Sequence, residues 1–349
     1  MKNISILYIC LLSIVSCAQK QTTKTTTVNP TPSSMTHQEI TAATIVDTIA
    51  AQIQHYDKEP MYFLRLTQSS CVFEVLVNDI PVEKNYELGK MANAIKINHA
   101  ILQSGPQTVT YRLYPLGDLM VEAYDKGETI TTLLKNTRMT IEVIRVDDFK
   151  TYSGFDDEHT VVLHHSPTKE GSHEFEGAGL PYYEHTFTFT AEVPYIHKGW
   201  SDGQDLTKFD KKELEEKVVS YYNRYKSYYE NKNLDKIIQI NYKDELRNSL
   251  SEYQGKEKIK KLWDEYQEIV LQNDKEFQPL EDYVLSFYGN GRIVSLRHPS
   301  REPVDYRLRG ECALWFLYDT EDETRADFPG VYLYLPKGEE SLDALRMIE

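Results

Sequence analysis

Six of the ten histidines fall between positions 159 and 197 (His159, His164, His165, His173, His185 and His197), interleaved with Glu170, Glu174, Glu176 and Glu184. Neutral imidazoles with a nearby carboxylate are donors that zinc or copper accepts. The spacing favours a plainer reading. His159 and His165 share one face of a strand pattern, His164 takes the other, His185 shares its face with Phe187 and Phe189, and no HExxH helix occurs. These are read as loop and edge histidines, with no metal and no cofactor assigned. The acidic run Asp319, Glu321, Asp322, Glu323 and Asp327 could offer oxygens to calcium, but it lacks the alternating order and sixth-position Gly of an EF-hand loop and reads as a solvated hairpin. Arg292, Arg297, Arg301, Arg307 and Arg309 gather the opposite charge and could receive a carboxylate or phosphate. Arg307 and Arg309 also alternate with Tyr306, Leu308 and Gly310 as on any half-exposed strand, so a solvated face is the preferred reading. Asp319, Glu321, Asp322, Glu323, Asp327, Arg297, Arg301 and Arg307 are retained as candidate binding residues.

Nucleophilic and nucleotide chemistry find no motif. The chain has no GxSxG elbow, no GxxxxGK[ST] loop and no GxGxxG, and no catalytic residue is assigned. Of 349 residues, 54 are acidic and 39 are Lys or Arg, a net charge of −15 that opposes nonspecific nucleic-acid binding, which needs clustered cations. The same charge suits a basic protein partner by complementarity. With 40% apolar residues and 25 Tyr the chain can bury a core.

Residues 1 to 16 have one charge, Lys2, an apolar stretch from Ile4 to Val15 and small Ser16, the pattern of a secretory signal too short to span a bilayer stably. Ile14-Val15-Ser16-Cys17 resembles the lipobox of bacterial lipoproteins of the Bacteroidetes type, which implies lipid on Cys17 and a membrane anchor. Residues 17 to 38, rich in Thr, Ser, Pro and Gln, read as a lipidated, solvated tether. In such lipoproteins an Asp after the lipidated Cys favours the inner membrane and an acidic cluster favours surface export. Ala18-Gln19-Lys20-Gln21 has neither, which implies the periplasmic face of the outer membrane. Cys71 and Cys312 remain, each on the apolar side of an alternating pattern, and are read as two separate buried thiols, a disulfide being the alternative.

Two periodicities divide the rest. Residues 39 to 198 are dominated by period two, with strands expected near 72–79, 107–114, 139–146, 160–164 and 186–191, an all-β antiparallel sandwich of jelly-roll type. Residues 199 to 211 form a polar link. From 212 to 349 the pattern is α+β. Asp210 caps a helix with Glu213 three residues on, and Val218, Tyr222, Tyr225 and Tyr229 make its apolar stripe, widened by Tyr221 and Tyr228. A second stripe, Leu234-Ile237-Ile238, precedes a third from Ile259 to Val270. A curved β meander follows at 282–288, 292–298, 306–318 and 331–335, with a turn at Gly289-Asn290-Gly291. The step from Tyr229 to Ile238, the Gly255-initiated helix through Trp263 and the closing meander resemble the ketosteroid-isomerase-like superfamily of polyketide cyclases and nuclear transport factors. That resemblance implies a cone-shaped α+β fold. Lys243-Asp244-Glu245-Leu246-Arg247 reads as helix where catalytic members carry an Asp-bearing strand, so no dyad is transferred.

The expectation is a lipid-anchored envelope protein that binds another protein without catalysis, of the immunity or inhibitor kind. The alternative is a small-ligand or enzymatic pocket in the C-terminal domain, which a general acid or base with a perturbed pKa facing a closed pocket would favour, whereas a flat acidic surface would favour the first. Carbohydrate binding would need an exposed aromatic row, for which Trp200, Tyr182 and Tyr183 are available.

Overall fold

The computed structural model describes residues 40–89, 93–300, 304–320 and 322–349. The leader, Cys17, the tether, Arg301 and Glu321 lie outside the described residues. Among the described residues the fold is mixed and mostly β, with four antiparallel sheets and five α-helices. In chain order the elements are α1 (Ile45–Ala50), β1 (Met61–Ser69), β2 (Val72–Val77), β3 (Ile80–Asn85), β4 (Ile95–Lys96), β5 (Gly105–Tyr114), α2 (Leu119–Tyr124), β6 (Arg138–Val146), β7 (Glu158–His165) and β8 (Tyr183–Ala191). They continue with α3 (Lys211–Glu230), α4 (Leu234–Ser251), α5 (Lys256–Leu271), β9 (Glu276–Phe277), β10 (Val284–Tyr288), β11 (Ile293–Arg297), β12 (Phe316–Asp319), β13 (Thr324–Asp327), β14 (Leu333–Tyr334) and β15 (Arg346–Met347).

The period-two segments of the first half build two sheets, ordered β4-β1-β6-β7 and β3-β2-β5-β8. Alternate residues such as Leu64, Leu66, Ile141 and Val143 from one, and Phe73, Val75, Val109 and Tyr111 from the other, bury their side chains in one core. Burial of each aliphatic side chain contributes roughly 1.5–3 kcal/mol relative to exposure. This core continues into the second half through Tyr253, Tyr288, Ile293, Tyr334 and Ile348. Cys71 and Cys312 are both buried and unpaired.

The Asp210 side chain accepts a hydrogen bond from Glu213 N at 2.9 Å, capping α3 as its sequence predicts. The α3 stripe Val218, Tyr221, Tyr222, Tyr225 and Tyr229 packs on Val294, Leu296, Phe316 and Leu333. Strands β10 and β11 pair around the turn at Gly289-Asn290-Gly291, all three residues at positive φ. Gly289 also abuts Trp200, whose Cδ1 would stand 2.8 Å from an added Cβ. Beyond the pair Val294 and Leu333, β11 and β14 separate, and the Tyr222 hydroxyl fills the gap. It accepts from Leu296 N at 2.8 Å and lies 3.1 Å from the Val331 carbonyl, replacing a ladder hydrogen bond.

Three features depart from the sequence reading. Residues 306–314, expected as strand, are mostly turns with a single bridge from Arg297 to Cys312. Residues 199–211, expected as a polar link, bury Trp200 and Leu206 under two 3-10 turns, because both side chains find apolar cores beside them. Residues 40–53 pack on the later helices: Ile40, Ile45 and Ile49 form a cluster with Ile238, Tyr242, Ile259 and Trp263. The Asp235 side chain accepts from Ala42 N at 2.7 Å, and Lys256 pairs with Asp47 at 2.6 Å, securing that contact.

Candidate functional site

On α4, Ile238, Asn241, Glu245, Asn248 and Glu252 recur at spacings of three and four, one stripe down the helix that includes the residue just past its end. A stripe at this spacing lines a groove, and here most of it is polar. The lining is completed by Ile259, Leu262, Trp263 and Tyr266 of α5, Ile45, Val46 and Ile49 of α1, and His99. Together they bound a cavity of about 480 Å³, within the range that holds small ligands.

The walls are held from several directions. The Asn98 side chain is fully buried, accepts from Tyr62 N at 2.8 Å, and donates to the carbonyls of Pro60 and Ser251 at 3.0 Å each. It thereby ties the start of β1 to the end of α4 and sets the position of the next residue, His99. Arg247, buried and stacked 5.0 Å from the Trp200 ring, donates to the His99 carbonyl at 3.0 Å and pairs with Asp244. At the cavity floor the Asn241 amide nitrogen lies 2.7 Å from the Tyr225 hydroxyl and 3.3 Å from that of Tyr266, and the Tyr266 and Tyr229 hydroxyls are 2.6 Å apart. Burial raises the pKa of all three tyrosines, so each stays protonated and the network remains neutral.

Two cavity groups stand outside these networks. Among the described residues neither the Glu245 carboxyl nor the His99 ring has a hydrogen-bonding or ion-pair partner. Glu245 is reached by solvent yet has protein around it on most sides. The resulting loss of hydration, reinforced by Asp244 and opposed by Arg247, pushes its carboxyl up to about 7. Burial, helped by Arg247, lowers the His99 pKa, which leaves its ring neutral near pH 7. A carboxyl of this kind can exchange a proton with a bound molecule or form an ion pair with a cation.

The residues singled out in the sequence go elsewhere. Asp319, Asp322 and Glu323 are exposed on the β12–β13 hairpin, where Asp319 accepts from the Thr324 hydroxyl at 2.6 Å and Glu323 pairs with Arg325 at 2.9 Å. Asp327, half-buried, is pushed up to about 6 by burial. Arg307 is exposed and grips Asp305. Arg297 and Arg309 depart from the solvated-face reading, since both are buried. His164 stacks on Phe187 at 4.3 Å and on His185 at 5.0 Å, and lies 3.2 Å from the Tyr111 hydroxyl. Burial, with His185 and His165 nearby, lowers it to about 4. Among the described residues no three His, Cys, Asp or Glu side chains converge as metal ligands. Trp200 is 5% exposed and Tyr221, Tyr222, Tyr225 and Tyr229 are core residues. Comparison with protein-family models, with curated proteins and with solved structures finds no match for the chain.

Proposed function

We propose that this chain is a small-molecule-binding protein of the cell envelope, whose cavity between α1, α4 and α5 takes a ligand with an apolar body and a basic end. One observation carries the reading: a wall of Trp263, Ile259, Ile238 and Ile49 faces an unpartnered carboxyl, Glu245, within a single cavity. An alkyl or aryl ammonium group placed beside Glu245 would give an unpartnered carboxylate a charge-assisted hydrogen bond. His99, with a neutral ring, would add a donor or acceptor to the cavity wall. The reading is binding without chemistry. Lipid on Cys17 would hold the body, on a tether of residues 17–38, at the periplasmic face of the outer membrane. Within that body we take the first two sheets as an antiparallel sandwich and α3–α5 with the later sheets as an α+β unit of the ketosteroid-isomerase-like kind. A basic protein partner at the acidic hairpin has only the net charge of −15 behind it.

The test is a fluorescence titration with hexylamine, hexanol and hexanoate, three ligands sharing one apolar body. At pH 8 hexylamine binds at least about tenfold tighter than hexanoate, and Glu245→Gln removes the preference. Equal binding of all three, or tightest binding of hexanoate, would overturn the reading.

A further inference from the structure

A second cavity, of about 420 Å³, lies apart from the first, where β2 and β5 of the early sheet meet β10 and β11. Its lining includes Arg112, Arg297, Tyr114, Tyr182, Phe287 and Tyr288. Arg297 is the unusual member. It is 8% exposed, and among the described residues it makes no ion pair. Its contacts are a long hydrogen bond of 3.5 Å from Nη1 to the Gly310 carbonyl and the face of Tyr332, 4.4 Å from the guanidinium carbon. Nε is sealed from solvent with no hydrogen-bond partner. Among the described residues Nη2 makes no hydrogen bond, and Arg297 lines the cavity.

The nearby carboxylates are engaged with other groups. Glu74 lies 3.6 Å from Arg112 and receives hydrogen bonds from the hydroxyls of Tyr86 at 2.6 Å, Ser300 at 2.5 Å and Tyr114 at 3.4 Å. Glu184 holds Arg112 at 2.8 Å, and Glu311 holds Lys84 at 2.5 Å. A guanidinium carries five N–H donors and stays charged at any physiological pH, so a buried one with a single long acceptor and no carboxylate is left with both unmet hydrogen bonds and an unmet charge. The missing complement is a planar oxyanion.

We propose that this cavity binds the carboxylate of a small aromatic molecule, with Arg297 as its anchor. A monoanion fits better than a dianion, because Glu74 lines the same cavity and repels the second charge. Tyr114 and Tyr288 are themselves buried, so Phe287, half-buried, is an aromatic lining residue that meets the body of the ligand. The site is separate from the Glu245 cavity and favours ligands of opposite charge, so the two readings stand or fall independently.

Benzoate, benzyl alcohol and inorganic phosphate serve as probes against the whole protein, with binding measured by calorimetry and the guanidinium N–H resonances followed by NMR. Benzoate binds and shifts the Arg297 resonances with the same saturation curve, whereas benzyl alcohol and phosphate do not bind. Arg297→Lys, which keeps the charge but loses the planar fork, weakens benzoate at least about tenfold, and Glu245→Gln leaves it unchanged. Should the Lys variant fail to fold, the wild-type resonance shifts still decide the matter. Absence of benzoate binding, binding that leaves the Arg297 resonances unmoved, unchanged affinity in a folded Arg297→Lys protein, or phosphate bound in preference to benzoate would each overturn the proposal.

Discussion

Replacing Glu245 with Gln isolates the physical feature on which the cavity reading depends. In the unfolded chain the carboxyl titrates at its ordinary value near 4.5, and in the folded protein at about 7. Between those values the folded protein keeps a proton that the unfolded chain has released. The stability tied to this group is therefore full below pH 4.5 and is lost as pH rises through 7. At about 1.4 kcal/mol per pH unit the whole interval would correspond to roughly 3 kcal/mol. Because water reaches the Glu245 side chain, screening reduces the expected effect to about 1–2 kcal/mol. Gln is nearly isosteric and never ionises, so the variant escapes the loss. Urea unfolding at pH 5 and pH 8 measures it. The variant and wild type have similar stability at pH 5, and the variant is about 1–2 kcal/mol more stable at pH 8. Parallel stabilities at both pH values would mean that Glu245 ionises as an ordinary surface carboxylate, and the electrostatic basis of the site would be lost.

Tyr222→Phe leaves the Leu296 N–H and the Val331 carbonyl without their shared partner in a buried place, and urea unfolding should show a loss of about 1–3 kcal/mol; a change below about 0.5 kcal/mol would mean that the two strands close over the gap. Limited proteolysis should spare residues 199–211, since Trp200 and Leu206 are buried there; early cleavage inside that segment, with two stable fragments, would show that the packing opens readily. Cys17→Ala should release the protein from membranes, and a variant that still sediments with them after a high-salt wash would refute the lipid anchor.

The strands of the first half were legible because alternation there coincides with one buried and one wetter face, as in β5 from Pro106 to Leu113, where Gln107, Val109, Tyr111 and Leu113 are buried and Pro106, Thr108, Thr110 and Arg112 are not. The same rule misplaced Arg309, because residues 306–310 form turns and Arg309 is buried, and it has no hold on Arg297. Every residue of β11 is buried, Ile293 in the first core and Val294 and Leu296 in the second, so parity cannot say which side meets water. The α3 stripe was legible because its apolar residues all serve one core. The α4 stripe was readable in spacing but is mostly polar, and a search for apolar periodicity stops at Leu234, Ile237 and Ile238. Asn241, Glu245, Asn248 and Glu252 carried the signal in the form of hydrogen-bonding side chains at helical spacing. The rest of the cavity was out of reach of any local pattern. Part of its lining comes from Ile45 and Ile49, nearly 200 residues earlier, and His99 is set by a buried Asn whose partners, Pro60 and Ser251, are distant in the chain.

The most direct measurement is a carbon NMR titration of the Glu245 side-chain carboxyl, with and without saturating hexylamine. The free protein should titrate near pH 7. Bound amine should lower the midpoint by at least about one pH unit, because a cation within about 4–6 Å favours the ionised carboxylate. A midpoint near 4.5 in the free protein, unmoved by the amine, would contradict the proposed site.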